Sequence, residues 1–94
     1  MRKLIWGSTF VRSFKKTVKK SPNLKTEIES VLRVLIEEPF APKLKTHKLK
    51  GKLSGTWACS VAYDLRIIFD FVMNEETSEN DILLIEIGTH DEVY

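Results

Sequence analysis

Few side chains in this sequence can manage protons and charge: His47, Asp64, Arg66, His90 and Tyr94, with His47 set among Lys45, Lys48, Lys50 and Lys52. A histidine titrates near neutral pH and can take or give a proton there. An arginine keeps its charge and grips a phosphate with two parallel hydrogen bonds. That inventory suits metal-free cleavage of RNA, in which the 2′-hydroxyl attacks its own neighbouring phosphate. The protein then has to supply a base at the 2′-oxygen, a cation on the non-bridging oxygens and an acid at the leaving 5′-oxygen. Plainer readings stand beside this one. His47 can be an exposed or RNA-contacting residue, and Asp64 can shape a strand corner by bonding nearby amides. Arg66 can form an ion pair with Asp64 or Glu86, His90 can be incidental in a turn after Gly88 and Thr89, and Tyr94 ends the sequence, where fraying is usual. Arg66 is the most informative of the five, being the one basic residue after Lys52, among nine acids.

Other chemistries lack their motifs. Gly7, Gly51, Gly55 and Gly88 are scattered and build no phosphate-cradling loop, and there is no G-x-S-x-G or H-E-x-x-H. The single cysteine, Cys59, and the two histidines offer no zinc-site spacing and no internal disulfide. No metal and no cofactor are expected.

The elements that must position these residues follow from hydrophobic spacing. Arg2 to Trp6 reads as a short strand ended by Gly7-Ser8, with Ser8 as the cap of a helix. From Thr9 to Lys20, Phe10, Val11, Phe14 and Val18 recur at helical spacing, while Arg12, Lys15, Lys16, Lys19 and Lys20 make the helix basic. Ser21-Pro22 reads as the cap and first position of a second helix, whose stripe is Leu24, Ile28, Val31, Leu32 and Leu35. Pro39 and Pro42 stop it. Lys43 to Ser54 is a lysine-rich connector, extended in part, with Leu49 and Leu53 alternating. Three β-rich segments follow, Thr56 to Tyr63, Leu65 to Val72 and Ile82 to Ile87, separated by a Tyr63-Asp64 corner and a polar loop from Asn74 to Asp81. They are expected to run antiparallel. Alternation puts Leu65, Ile67, Phe69 and Phe71 on one face of the middle strand and Arg66, Ile68 and Asp70 on the other. Trp57 and Phe69 read as core, not as stacking platforms. The expected fold is α+β, with two N-terminal helices packed on a small, mainly antiparallel sheet whose other face is partly open.

A chain of 94 residues has room for one core, so residues 1–94 are read as a single domain, and 43% hydrophobic with 30% charged residues is the composition of a folded protein. The net charge of +2 conceals an uneven distribution. Residues 1–52 carry 14 Lys/Arg against 4 Asp/Glu, and residues 53–94 carry 1 against 9. A positive half of this size suggests a polyanionic partner, because neutralising phosphates releases counterions; the alternative is lysines on solvated helix faces. No apolar run approaches the roughly 18 to 20 residues of a membrane span and the N-terminus has no signal-peptide stretch, so the expected location is the cytoplasm, without membrane contact.

The run His47-Lys48-Leu49-Lys50-Gly51 to Trp57, then Tyr63-Asp64-Leu65-Arg66-Ile67-Ile68-Phe69, then Ile87-Gly88-Thr89-His90-Asp91-Glu92-Val93-Tyr94 resembles the RelE/ParE superfamily of bacterial toxins. It looks most like the YafQ-type mRNA interferases. The resemblance implies a type II toxin, monomeric when alone, that cuts mRNA in the ribosomal A site and is silenced by a cognate antitoxin. By position it implies that His47 matches the histidine of the loop before the strands, Asp64 the catalytic aspartate, and His90 the histidine after the last strand. Arg66 matches the phosphate-stabilising strand arginine of RelE-like toxins, and Tyr94 a terminal aromatic that stacks on the base or assists proton transfer. Two departures reduce the proton inventory: Ser60 stands near a further YafQ histidine, and Thr56 to Tyr63 holds no lysine in place of the RelE pair. The resemblance thus implies His47 or Asp64 as the base, Arg66 on the phosphate and His90 as the acid. It also makes Lys15, Lys16, Lys19, Lys20, Lys45, Lys48, Lys50 and Lys52 a footprint on ribosomal RNA. A ParE-like gyrase poison without RNA chemistry is the alternative toxin, and a non-catalytic RNA-binding protein the third reading.

Overall fold

The computed structural model describes residues 2–51, 55–62 and 64–93. Lys52, Leu53, Tyr63 and Tyr94 lie outside the described residues. The elements run β1 (Leu4–Trp6), α1 (Ser8–Lys20), α2 (Leu24–Glu37), a short 3-10 turn (Pro42–Leu44), β2 (His47–Lys48), β3 (Trp57–Ser60), β4 (Leu65–Asn74), β5 (Glu79–Thr89) and α3 (His90–Val93). The strands form one sheet in the order β1-β5-β4-β3-β2. β2, β3, β4 and β5 pair antiparallel, and β1 adds to the outside of β5 in parallel. Both edges are brief, three residues in β1 and two in β2, which limits unwanted strand pairing. The α+β architecture agrees with the reading from sequence.

The helices cover one face. Phe10 of α1 and Ile28, Val31, Leu32 and Leu35 of α2 pack on Ile67, Phe69, Ile82, Leu84 and Ile87. Phe10, Ile28, Leu35 and Phe69 are fully buried; burial of each such side chain contributes about 1.5–3 kcal/mol. The alternation of β4 holds: Leu65, Ile67 and Phe69 belong to this core, while Ile68 faces the other way into a small second cluster with Ala58 and Val93. Trp57 is half-buried at the rim of the main core. β5 contains a bulge. Ile68 pairs with Glu86 and Phe69 with Leu84, so Ile85 is an extra residue. The bulge shifts the core positions of β5 from even (Ile82, Leu84) to odd (Ile87) numbers.

Four local expectations need correction. Gly7, not Ser8, occupies the N-cap of α1. Its N–H donates to the Leu84 carbonyl at 3.0 Å, and a Cβ there would lie 2.6 Å from that oxygen, so only glycine lets the chain turn from β1 into α1 this close to β5. Ser21 closes α1, through its N–H to the Thr17 carbonyl at 2.9 Å, and α2 starts at Leu24 after Asn23. The polar stretch from Asn74 to Asp81 is mostly ladder. β4 and β5 continue through Asn74 and Glu79 around the turn 75–78, closed by the left-handed Ser78 (φ 60°) and its N–H to the Asn74 carbonyl at 2.9 Å. Hydrophobic alternation stops earlier because this part of the hairpin projects into solvent. Finally, residues 90–93 form a helical turn that spacing did not suggest.

Candidate active site

Arg66 is the second residue of β4, between Ser60 on β3 and Gly88 on β5. Both neighbours are small, so the guanidinium has room on the face away from the helices. Its Nη1 donates to the carbonyls of Ala62 and Leu65, each at 3.4 Å, at the long end for such bonds. The β3–β4 turn is closed by Val61 N–H to the Leu65 carbonyl at 2.8 Å and Leu65 N–H to the Ala62 carbonyl at 3.3 Å. Asp64 is exposed at its corner.

Leu65 pairs with Thr89, so Asp64 and His90 stand one position beyond the last ladder pair on their two strands. His90 is held there by a reciprocal cap. The Glu92 N–H donates to Thr89 Oγ1 at 3.3 Å, and the Thr89 N–H donates to Glu92 Oε1 at 2.9 Å. This is a capping box, which satisfies two backbone donors at a helix start. The Thr89 N–H, then its hydroxyl, then the charges of Lys16 and Lys20 hold the Glu92 carboxyl below its ordinary range. Gly88 lets α3 lie against the strand, since a Cβ there would come within 3.1 Å of Glu92 Cβ and Val93 Cγ1. Val93 then packs on Ala58 and Ile68. His90 itself is exposed, its Nδ1 3.8 Å from Asp91 Oδ1.

His47 lies farther off. It pairs with Ala58, which pairs with Ile68, so His47 shares the open face with Arg66 but sits two strands away and two residues along. Strand spacing makes that about 12 Å between Cα atoms, with β3, carrying Ala58 and Ser60, between their two strands. Lys45, in the left-handed region (φ 51°), directs its carbonyl to His47 Nδ1 at 3.0 Å. A carbonyl only accepts, so the neutral ring carries its proton on Nδ1 and leaves Nε2 as the basic atom.

The register therefore brings Asp64, Arg66 and His90 to one end of the β4–β5 ladder and sets His47 at the edge strand of the open face. Tyr94 lies outside the described residues. Lys15, Lys16, Lys19 and Lys20 are exposed on α1, and Lys16 Nζ reaches within 3.9 Å of Glu92 Oε2. Lys45, Lys48 and Lys50 are exposed on the connector. Lys48 pairs with Trp57 and is placed over that ring, on the opposite face from His47. Burial, countered in part by a hydrogen bond with the Ile67 backbone, pushes the Cys59 thiol up to about 12, so it is no nucleophile at neutral pH. Among the described residues no three His, Cys, Asp or Glu side chains cluster as metal ligands, and no helix is long and apolar enough to cross a membrane.

The positioning residues Gly88, Thr89 and Glu92 escape a reading based on reactive side chains. Their signal is nonetheless present, since Thr89-x-x-Glu92 has capping-box spacing.

Over residues 2–94 the sequence matches the family model described as the bacterial toxin of a type II toxin-antitoxin system, YafQ. The chain belongs to the YafQ toxin family. Among solved structures, the metal-bound toxin from Helicobacter pylori is 30% identical, with full coverage of both chains (100% and 100%) and a TM-score of 0.73. YafQ from E. coli strain BL21(DE3) superposes with a TM-score of 0.78 at 17% identity, over 100% of this chain and 99% of that one. A YoeB/ParE toxin from Agrobacterium tumefaciens gives 0.76 at 22% identity, over 94% and 98%. No curated protein matches the sequence. At the lower identities the likeness is one of fold; membership of the YafQ family makes this chain the toxin of a type II toxin-antitoxin system.

Proposed function

We propose that this YafQ-family toxin is a ribosome-dependent mRNA endoribonuclease that uses the RNA's own 2′-hydroxyl as nucleophile. The observation carrying the reading is the β4–β5 register, which sets Asp64 and His90 just beyond the Leu65–Thr89 pair and Arg66 one pair inside it, opposite Gly88. His47 Nε2 or the Asp64 carboxylate takes the 2′-hydroxyl proton, and the 2′-oxygen bonds to phosphorus. Arg66 turns from the carbonyls of Ala62 and Leu65 to the non-bridging oxygens, where negative charge grows. His90 protonates the 5′-oxygen as its bond to phosphorus breaks, leaving a 2′,3′-cyclic phosphate and a 5′-hydroxyl. Tyr94 stacks on the base or assists proton transfer, and no metal takes part in these steps.

The same reading places the protein in the cytoplasm, monomeric when alone, with a cognate antitoxin as partner. One structural relative is the DinJ-YafQ complex of E. coli, with a TM-score of 0.78 at 17% identity. The exposed lysines Lys15, Lys16, Lys19 and Lys20, with Lys45, Lys48, Lys50 and Lys52, bind ribosomal RNA through phosphates. Reversing the four α1 charges should weaken ribosome affinity and flatten its salt dependence while the fold persists.

The deciding experiment is induced expression of wild type, Arg66→Ala and His90→Ala in a bacterium, with growth curves and primer extension on a translated message. In-frame cuts made by wild type and abolished by both substitutions, with both variants folded, are expected. Growth arrest without mRNA cuts, accompanied by altered DNA supercoiling or breakage, would show a gyrase poison instead.

A further inference from the structure

Three aromatic rings meet at the margin of the helix-covered face. Phe40 is stacked on Phe71 at 5.9 Å between centroids with 24° between planes, and Trp57 meets both rings edge-on, at 5.3 and 5.7 Å. Phe40 is 59% exposed although the rings of Trp57 and Phe71 are within reach. An aromatic ring left this open adds little to the core. Phe40, Trp57 and Phe71, together with Pro39, Arg2 and Asn80, line a recess of about 340 Å³, a space that fits one planar ring.

The charges around the recess narrow the choice of occupant. Arg2 is the one charged residue among its described lining residues. Two carbonyls anchor that guanidinium, Asn80 to Nε and Ile36 to Nη1, each at 2.9 Å. Lys48 Nζ stands 5.9 Å from the Trp57 ring centre, within cation–π range. A flat aromatic group carrying negative charge suits this setting better than an apolar side chain does, and a nucleotide has both parts.

We infer that the Phe40–Trp57–Phe71 recess is a stacking site for one unpaired base of a single-stranded RNA, with Lys48 and Arg2 facing the adjoining phosphates. Aromatic platforms flanked by cations bind single strands in this way, with little regard to sequence, because every base has a π-face. The position of β2 links the recess to the proposed cleavage site. His47 and Lys48 are consecutive in an edge strand, His47 on the open face with Ala58 and Lys48 on the recess side with Trp57. An RNA strand crossing this edge presents one nucleotide to the open face and a neighbour to the rings. The inference rests on the endoribonuclease reading only in taking RNA as the polyanion.

Trp57 can report on the recess directly. The chain has two tryptophans, and Trp6→Phe leaves Trp57 as the sole tryptophan, excited selectively at the red edge of its absorption. That variant is titrated with a short single-stranded RNA carrying 2′-O-methyl groups throughout, which cannot be cut by 2′-hydroxyl attack. Saturable quenching is expected, with affinity lowered roughly tenfold by Phe40→Ala and by Phe40→Leu, and kept by Phe40→Tyr. Circular dichroism checks the fold of each variant. Unchanged affinity in folded Phe40→Ala would overturn the inference. So would wild-type RNA affinity in Phe40→Leu, which marks a merely apolar contact, or loss of a protein partner in Phe40→Ala with RNA binding intact. Cleavage of a translated message separates the two readings. Phe40-dependent binding by a wild type that cuts nothing sinks the endoribonuclease and leaves the stacking site. Cutting by wild type, with both binding and cutting intact in Phe40→Ala, does the reverse.

Discussion

Asp81 and Asp64 stand at opposite ends of the β4–β5 ladder, and their surroundings differ in kind. Asp81 is 5% exposed, and its carboxylate accepts from the Lys3 N–H at 2.9 Å and from Asn74 Nδ2 at 3.0 Å. The Lys3 N–H, followed by the Asn74 amide and the Lys3 charge, holds its carboxyl below the ordinary aspartate range despite burial. Asp64 is exposed, just beyond the last ladder pair on its strand, as His90 is on the other. A buried carboxylate must be satisfied by the fold itself, and Asp81 serves the fold by joining β1 to the hairpin. At the other end the backbone sets the positions of charged groups while leaving them at the surface, where a ligand can engage them. One end of the ladder stabilises the protein, and the other is available for chemistry.

The sharpest test of that contrast is Arg66→Ala, which should reduce cleavage of a translated message by about 10²–10³-fold with the urea midpoint unchanged. A loss of stability comparable to that of an Asp81 variant would erase the distinction. Asp81→Ala should do the opposite, lowering the thermal midpoint by several degrees in a calorimetric scan, with cleavage intact well below that temperature. Acid sharpens the same point. A depressed carboxyl contributes stability that is fully present above its unfolded value, about 3.9 for aspartate, and is lost as pH falls through the lower folded value. Urea unfolding of Asp81→Asn should therefore show a shallower fall in stability across that acid window than wild type, and an identical slope would remove Asp81 from the account. The smallest effect is expected at the cap. Thr89→Ala should cost about 1 kcal/mol and slow cleavage severalfold by loosening His90, with Thr89→Ser restoring both in paired denaturation and cleavage assays.

Much of this arrangement was open to reading from the sequence. The stripe of Ile28, Val31, Leu32 and Leu35 and the alternation of Leu65, Ile67 and Phe69 against Arg66 and Ile68 follow from helix and strand periods, and both hold. Other features follow from contacts between distant residues. Gly7 takes the cap from Ser8 because Leu84 lies against it. Asp81 reads as loop until Lys3, remote in sequence, supplies its partner. The bulge at Ile85 breaks the period of β5, so its two halves cannot share one simple pattern. Among the candidate residues, Asp64 and Arg66 are neighbours in sequence, but His90 joins them only through the Leu65–Thr89 register.

The sequence by itself determined the identities of the proton-handling and cationic groups, the helical and strand periods that turn Arg66 away from the core, and the concentration of positive charge in residues 1–52. These are local properties, written in side-chain type and spacing. Only the tertiary structure decided which groups meet. Pairing of β4 with β5 brings Asp64 toward His90, a capping box and a glycine hold the turn that carries His90, and β2 at the edge of the sheet keeps His47 across the face. Register and packing join residues far apart along the chain, and no local period specifies which distant strand a segment will face.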